Sequence, residues 1–209
     1  GFSLVPNNNA QRTLILGRAG TEEPVLFTVR EDFSLGSSSN AWGPVNVNAD
    51  WNVLVANGKT LNVYGALNSS GRTITVGGEG FSGTLVLNNA ANASMTAEWV
   101  ITSGSTVRCM NNSALGSGLV TLDGGTLDFN SQTIGSTITL NMSGTGTLQN
   151  VTVDGAILSY TSSSGNDGIT ASNTTWTSGK IDIGRLLQGF SAEGSNTCLL
   201  YTSDAADDR

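Results

Sequence analysis

Gly58-Lys59-Thr60-Leu61-Asn62-Val63 and Gly71-Arg72-Thr73-Ile74-Thr75-Val76 are the same phrase written twice: a glycine, a threonine two positions on, then apolar side chains at every second position. Shorter versions follow at Gly83-Thr84-Leu85-Val86-Leu87, Gly104-Ser105-Thr106-Val107-Arg108-Cys109, Gly125-Thr126-Leu127-Asp128-Phe129, Gly135-Ser136-Thr137-Ile138-Thr139-Leu140 and Gly146-Thr147-Leu148. The threonines stand at 60, 73, 84, 106, 126, 137 and 147, so the successive gaps are 13, 11, 22, 20, 11 and 10. Two of those gaps are close to twice the rest. A short unit therefore recurs, and pairs of units recur at twice its length. Self-similarity at a fixed period of about twenty residues or more is the mark of a stacked repeat architecture.

Each phrase reads as a short strand after a glycine turn. Period-2 alternation puts Leu61 and Val63 on one face with Asn62 on the other, and treats Ile74 and Val76, Val107 and Cys109, Leu127 and Phe129, and Ile138 and Leu140 alike. No stretch of comparable length has a helical period. Even, short strands suit a sandwich or a solenoid. Recurrence of one phrase favours the solenoid, because a single rung cannot bury its apolar side alone and must stack on a copy. The expected fold is all-β, a parallel β-helix, with an antiparallel β-sandwich as the alternative. The repeat region is placed at 51–197. Residues 1–50 form a less regular β lead-in, with a strand at Val25-Leu26-Phe27-Thr28-Val29-Arg30 and a rhythm broken by Ser37-Ser38-Ser39-Asn40 and Pro44.

Composition narrows the function classes. Of the 209 residues 38% are hydrophobic and only 12% charged, with 27 glycines and a net charge of −7. A disordered chain pairs low hydrophobicity with high charge, and that charge is missing. With two lysines and scattered arginines there is no basic stripe for phosphates, so nucleic acid is not an expected partner. The apolar runs are too short for a membrane-spanning helix. Histidine is absent, which removes the commonest general base and zinc ligand.

The final segment, 198–209, breaks the Gly/Thr rhythm with Asp204-Ala205-Ala206-Asp207-Asp208. It resembles a translated sequencing adapter of the kind found at the ends of metagenomic reading frames. It is read as a non-native tail, and the native chain is expected to continue beyond Thr197.

Three stretches carry a family resemblance: Gly80-Phe81-Ser82-Gly83-Thr84-Leu85-Val86-Leu87-Asn88-Asn89, then Asn111-Asn112-Ser113-Ala114-Leu115-Gly116-Ser117-Gly118, then Val120-Thr121-Leu122-Asp123-Gly124-Gly125-Thr126-Leu127-Asp128-Phe129. With the segment from Trp51 to Gly65, this pattern resembles the autotransporter-associated β-strand repeat over about half of the chain. The resemblance implies a right-handed, single-stranded parallel β-helix in the passenger region of a large exported bacterial protein. It also implies an outer-membrane barrel in a C-terminal part not included here. Between Ala90 and Ile101 the chain departs from the family, with Asn92-Ala93-Ser94-Met95-Thr96 where a Tyr-x-Gly-x-Thr turn is usual.

Candidate chemistry is sparse. Asp123 and Asp128 flank Gly124-Gly125 and could form a carboxylate pair for glycoside cleavage, against the plainer reading of a turn aspartate and an outward strand aspartate. Gly165-Asn166-Asp167-Gly168 hints at a calcium β-roll but lacks the nine-residue tandem repeat. Trp51, Trp99 and Trp176, with Trp42, could stack on sugars, against the plainer reading of core packing. Lys59, Arg72 and Arg108 fall on the outward side with no acid cluster matching them. Cys109 falls inward as a small hydrophobe. No catalytic residue, metal or cofactor is assigned and no enzyme is expected. The expected function is a structural or adhesive stalk at the bacterial surface, with glycans or proteins of the host or environment as partners. The alternative is a carbohydrate-binding or polysaccharide-degrading β-helix.

Overall fold

The structure is a computed structural model. It describes residues 2–4, 13–18, 20, 23–39, 44–89, 92, 95–135, 139–161, 168–185, 191–193 and 197–198. The phrase residue Ile138 and most of the expected tail, 199–209, lie outside the described residues. Each coil of the chain crosses three faces in turn. Strands Val25–Val29, Trp51–Val55, Ser70–Val76 and Thr96–Thr102 lie on the first face. Phe33–Leu35, Thr60–Val63, Thr84–Leu87 and Thr106–Cys109 lie on the second. Leu14–Leu16, Val45–Val47 and Leu67–Asn68 form the third. Farther on, Leu119–Gly135, Thr139–Thr161 and Ile169–Arg185 run round the corners as long continuous strands. All named strands pair in parallel, and none of the described residues is helical. The fold is a parallel β-helix, and the sandwich alternative has no support.

On the second face, Phe2, Phe33, Leu61, Leu85, Val107, Leu127, Leu148, Ala171 and Ala192 are successive partners in one ladder. Their numbers advance by 31, 28, 24, 22, 20, 21, 23 and 21, and each advance is the length of one coil. The coil tightens after the first two turns, where the lead-in of residues 1–50 joins the same stack. The shorter period seen in the sequence is half a coil. Thr60, Thr84, Thr106, Thr126, Thr147 and Thr170 are register partners on the second face, whereas Thr73 is on the first.

Alternation packs the interior. Trp51, Ile74, Trp99, Val120 and Met142 make a buried column on the first face. Leu61, Leu85, Val107, Leu127 and Leu148 make the buried column on the second. Fully burying each such side chain contributes about 1.5–3 kcal/mol. Rungs one strand spacing apart leave no room for a side chain at some of the corners. A Cβ on Gly118 would collide with the backbone carbonyl of Ala97 in the coil before it. Gly116, in the same turn, combines a left-handed backbone (φ 74°) with a similar clash against the carbonyl of Met95.

The departure after Ala90 has a structural answer. The third-face strand Leu67–Asn68 has no strand above it at this level among the described residues. Asn92 bridges the gap with its side chain. Its Oδ1 accepts from the Leu67 N–H (2.7 Å) and its Nδ2 donates to the Ala114 carbonyl (2.7 Å), both buried. Positions 67, 92 and 114 are spaced 25 and 22 apart, one coil each. A primary amide has the donor and acceptor of a peptide group, so Asn92 continues the ladder for one rung.

Two outcomes follow. Deleting 148–170 removes one coil and leaves register partners facing register partners, so a folded protein one rung shorter is expected. Deleting only the first half of that segment is expected to leave an unfolded chain by far-UV circular dichroism. Asn92→Ala leaves a buried N–H and a buried carbonyl unpaired and is expected to lower unfolding free energy by about 2–5 kcal/mol. Urea denaturation measures it, and an unchanged midpoint would remove the bridging role.

Candidate functional site

The densest polar cluster lies where the second face turns into the third. Asp128 sits on the outward side of its strand, opposite Arg108 in the preceding coil. The expected outward placement holds, yet the residue is only 1% exposed. Covering comes from neighbours one coil away. Arg108 Nε donates to Oδ2 (2.9 Å), while Asn150 Nδ2 (2.9 Å) and the Asn130 N–H (2.8 Å) donate to Oδ1. Asn150 Oδ1 in turn accepts from Asn173 Nδ2 (2.7 Å). Asn130, Asn150 and Asn173 all turn the corner in the left-handed region, with φ of 50°, 53° and 51°. Asparagine tolerates that conformation better than most residues. One residue type thus makes the bend and supplies the amide that ties coils together.

Burial alone would raise the Asp128 carboxyl. The donors from Asn150, Asn130 and Arg108 outweigh it and hold the group below the usual carboxylate range. A general acid for glycoside cleavage needs the opposite shift and a free oxygen. Asp123 is exposed at the end of the first-face run, where its register partner is Thr145.

Two of the three outward cations are paired, each with a single acid. Lys59 Nζ meets Glu31 Oε2 at 2.6 Å, and Arg108 is tied to Asp128. The hydrogen bond and charge of Glu31 raise the Lys59 ammonium above its ordinary value. The Arg72 side chain has neither an ion pair nor a hydrogen bond among the described residues.

The sugar-stacking role for tryptophan is corrected for Trp51 and Trp99, both 0% exposed in the first-face column. Trp99 Nε1 donates to the Leu115 carbonyl (3.0 Å), which explains how an indole sits so deep. Trp51 packs edge-on against Phe27, with ring centroids 6.3 Å apart. Trp176 is buried too, above Ile134 and Val153 on the third face. A stacking platform needs an indole face in water, and none of these three offers one. Trp42 and the Gly165-Asn166-Asp167 turn lie outside the described residues. Cys109 is enclosed, and burial pushes its thiol well above the ordinary range. No group of three acidic or thiol side chains able to hold a metal occurs among the described residues. Comparison of the chain with protein-family models, with curated proteins and with solved structures finds no match. Among the described residues, the outward surface carries a set of inter-coil polar ties.

The Asp128 cluster makes a pH prediction. A carboxylate held below its unfolded value stabilises the fold fully above about pH 4, and that contribution is lost as pH falls through the lowered folded value. Asp128→Asn is expected to destabilise by about 2–4 kcal/mol at pH 7, through loss of a charged acceptor with three donors. It should also flatten the acid limb of the stability curve. Equal pH slopes in the two proteins would contradict the assignment.

Proposed function

We propose that this chain is a rigid spacer, the structural or adhesive stalk of a large exported bacterial surface protein. The observation that carries this reading is the unbroken second-face ladder from Phe2 to Ala192. Eight steps at about 4.8 Å convert the chain into a rod of roughly 38 Å. Length is then set by coil number, a property useful for display and unrelated to turnover. Support also comes from the polar clusters. The buried carboxylate, the bridging amide and two of the three cations first picked out are spent on holding coils together. The resemblance to the autotransporter-associated repeat supports a location outside the cell, with a membrane barrel supplied by another part of the protein. Partners on this reading are glycans or proteins met at the surface.

The test uses the chain with extra copies of 148–170 inserted in register. Each copy is expected to add about 4.8 Å to the maximum dimension from small-angle scattering. The same samples, incubated with a panel of polysaccharides, are expected to release no reducing ends. Release of sugar fragments, or a dimension that does not grow with copy number, would overturn the spacer reading.

A further inference from the structure

A second feature of the surface is not explained by stacking. Where the third face turns into the first, Gly20, Val47, Asn48, Asn68, Ser69, Ser70 and Arg72 line an open cleft of about 310 Å³. It spans three coils and is more polar than apolar. No Asp or Glu lines it, although the chain carries 16 acidic residues against 9 basic ones. Elsewhere the cations singled out from the sequence are paired, Lys59 to Glu31 and Arg108 to Asp128. Here the Arg72 side chain is half-buried with no ion pair and no hydrogen bond among the described residues. Asp50 is at the same corner, but its Oδ1 accepts from the Thr73 N–H (3.0 Å) and it makes no ion pair with Arg72.

One neighbour of Arg72 in the cleft is unsatisfied as well. Ser69 is 4% exposed, and its Oγ is enclosed without a hydrogen-bond partner. Asn68, a lining residue, donates through Nδ2 to Asn46 Oδ1 (3.1 Å), and no hydrogen bond to its own side-chain oxygen occurs among the described residues. Asn48 and Ser70 add further donors and acceptors. The set is therefore one guanidinium, with a planar fork matched to a carboxylate, surrounded by small amide and hydroxyl groups of mixed hydrogen-bonding sense. Mixed amides and hydroxyls complement a polyhydroxylated ring, and the unpaired guanidinium complements a single negative charge.

We propose that this corner cleft binds one carboxylated sugar unit of an acidic polysaccharide. Arg72 takes the carboxylate, while Asn48, Asn68 and Ser70 meet ring hydroxyls. The inference does not depend on the spacer role. A rod can carry a glycan contact on its side, and the cleft could bind whether or not the coils serve as a stalk.

The test is calorimetric or NMR titration of the full chain with a trigalacturonate. Saturable binding is expected, weakening as salt rises, with the cleft resonances shifting. Maltotriose, which has the ring hydroxyls but no carboxylate, is expected to bind at least tenfold more weakly. Sodium acetate, which has the carboxylate alone, is expected to do the same. Arg72→Gln should weaken trigalacturonate binding at least tenfold, and Arg72→Lys, which keeps the charge without the fork, should fall between. Ser70→Ala, at an exposed position outside the core, should weaken it two- to fivefold and guards against a folding defect in the arginine variants. Four results would overturn the proposal: no binding of trigalacturonate at millimolar concentration, equal binding of maltotriose, acetate binding as tightly as the trisaccharide, or binding unchanged in folded Arg72→Gln.

Discussion

Hydrogen bonding between a strand and the strand one coil away is the interaction on which everything else in this molecule rests. Most strands of the first four coils are short, and they pair with neighbours far along the chain. A lone short strand has neither backbone partners nor enough apolar area to be stable. Stacking supplies both at once. The ladder satisfies the amides, and the same register brings Leu61 over Leu85 and Trp51 over Ile74. Glycine at positions such as Gly118 follows from the same constraint, because the previous coil's backbone occupies the space of a side chain. The chemistry of a residue here is consequently decided by what stands one coil away rather than by its sequence neighbours.

Polar groups obey that rule as strictly as apolar ones. Asn92 links Leu67 and Ala114, Asn150 links Asp128 and Asn173, and Arg108 reaches Asp128, each across one coil. These contacts would be marginal on an open surface, where an ion pair contributes about 0–1 kcal/mol. The Asn92 bonds are buried and those on Asp128 are part-buried, so removing one member there strands the others, whereas the Asn150–Asn173 bond is exposed. The repeat thus gives amide and carboxylate side chains a structural part that the backbone leaves vacant wherever the coil is irregular.

The fold was legible in the sequence because its defining signals are local. A glycine, a threonine and two alternating apolar residues are visible without knowing what lies beside them, and their recurrence implies stacking. Half the period was misleading on its own, since phrases on the first and second faces look alike; Thr73 and Thr84 differ in face but not in pattern. Asp128 illustrates what was not legible. Alternation placed it outward, and that much is right, but its burial comes from Arg108 and Asn150, whose approach depends on coil length. Trp51 and Trp99 had an inward reading as core packing, which was the favoured one, and an outward reading as a sugar platform. Only the register, which stacks both with Ile74, decides between them. The corner cleft around Arg72 was illegible for the same reason, since its lining comes from three successive coils.

A rod of paired coils accounts for the many polar groups committed to cohesion. The most direct measurement of this account is a set of spin-label distances along the second-face threonine column, from position 60 to positions 126, 147 and 170. Equal increments are predicted, with separations of about 14, 19 and 24 Å for three, four and five strand steps. Distances that do not increase with step number, or that scatter as they would between strands of two opposed sheets, would contradict parallel stacking and everything derived from it.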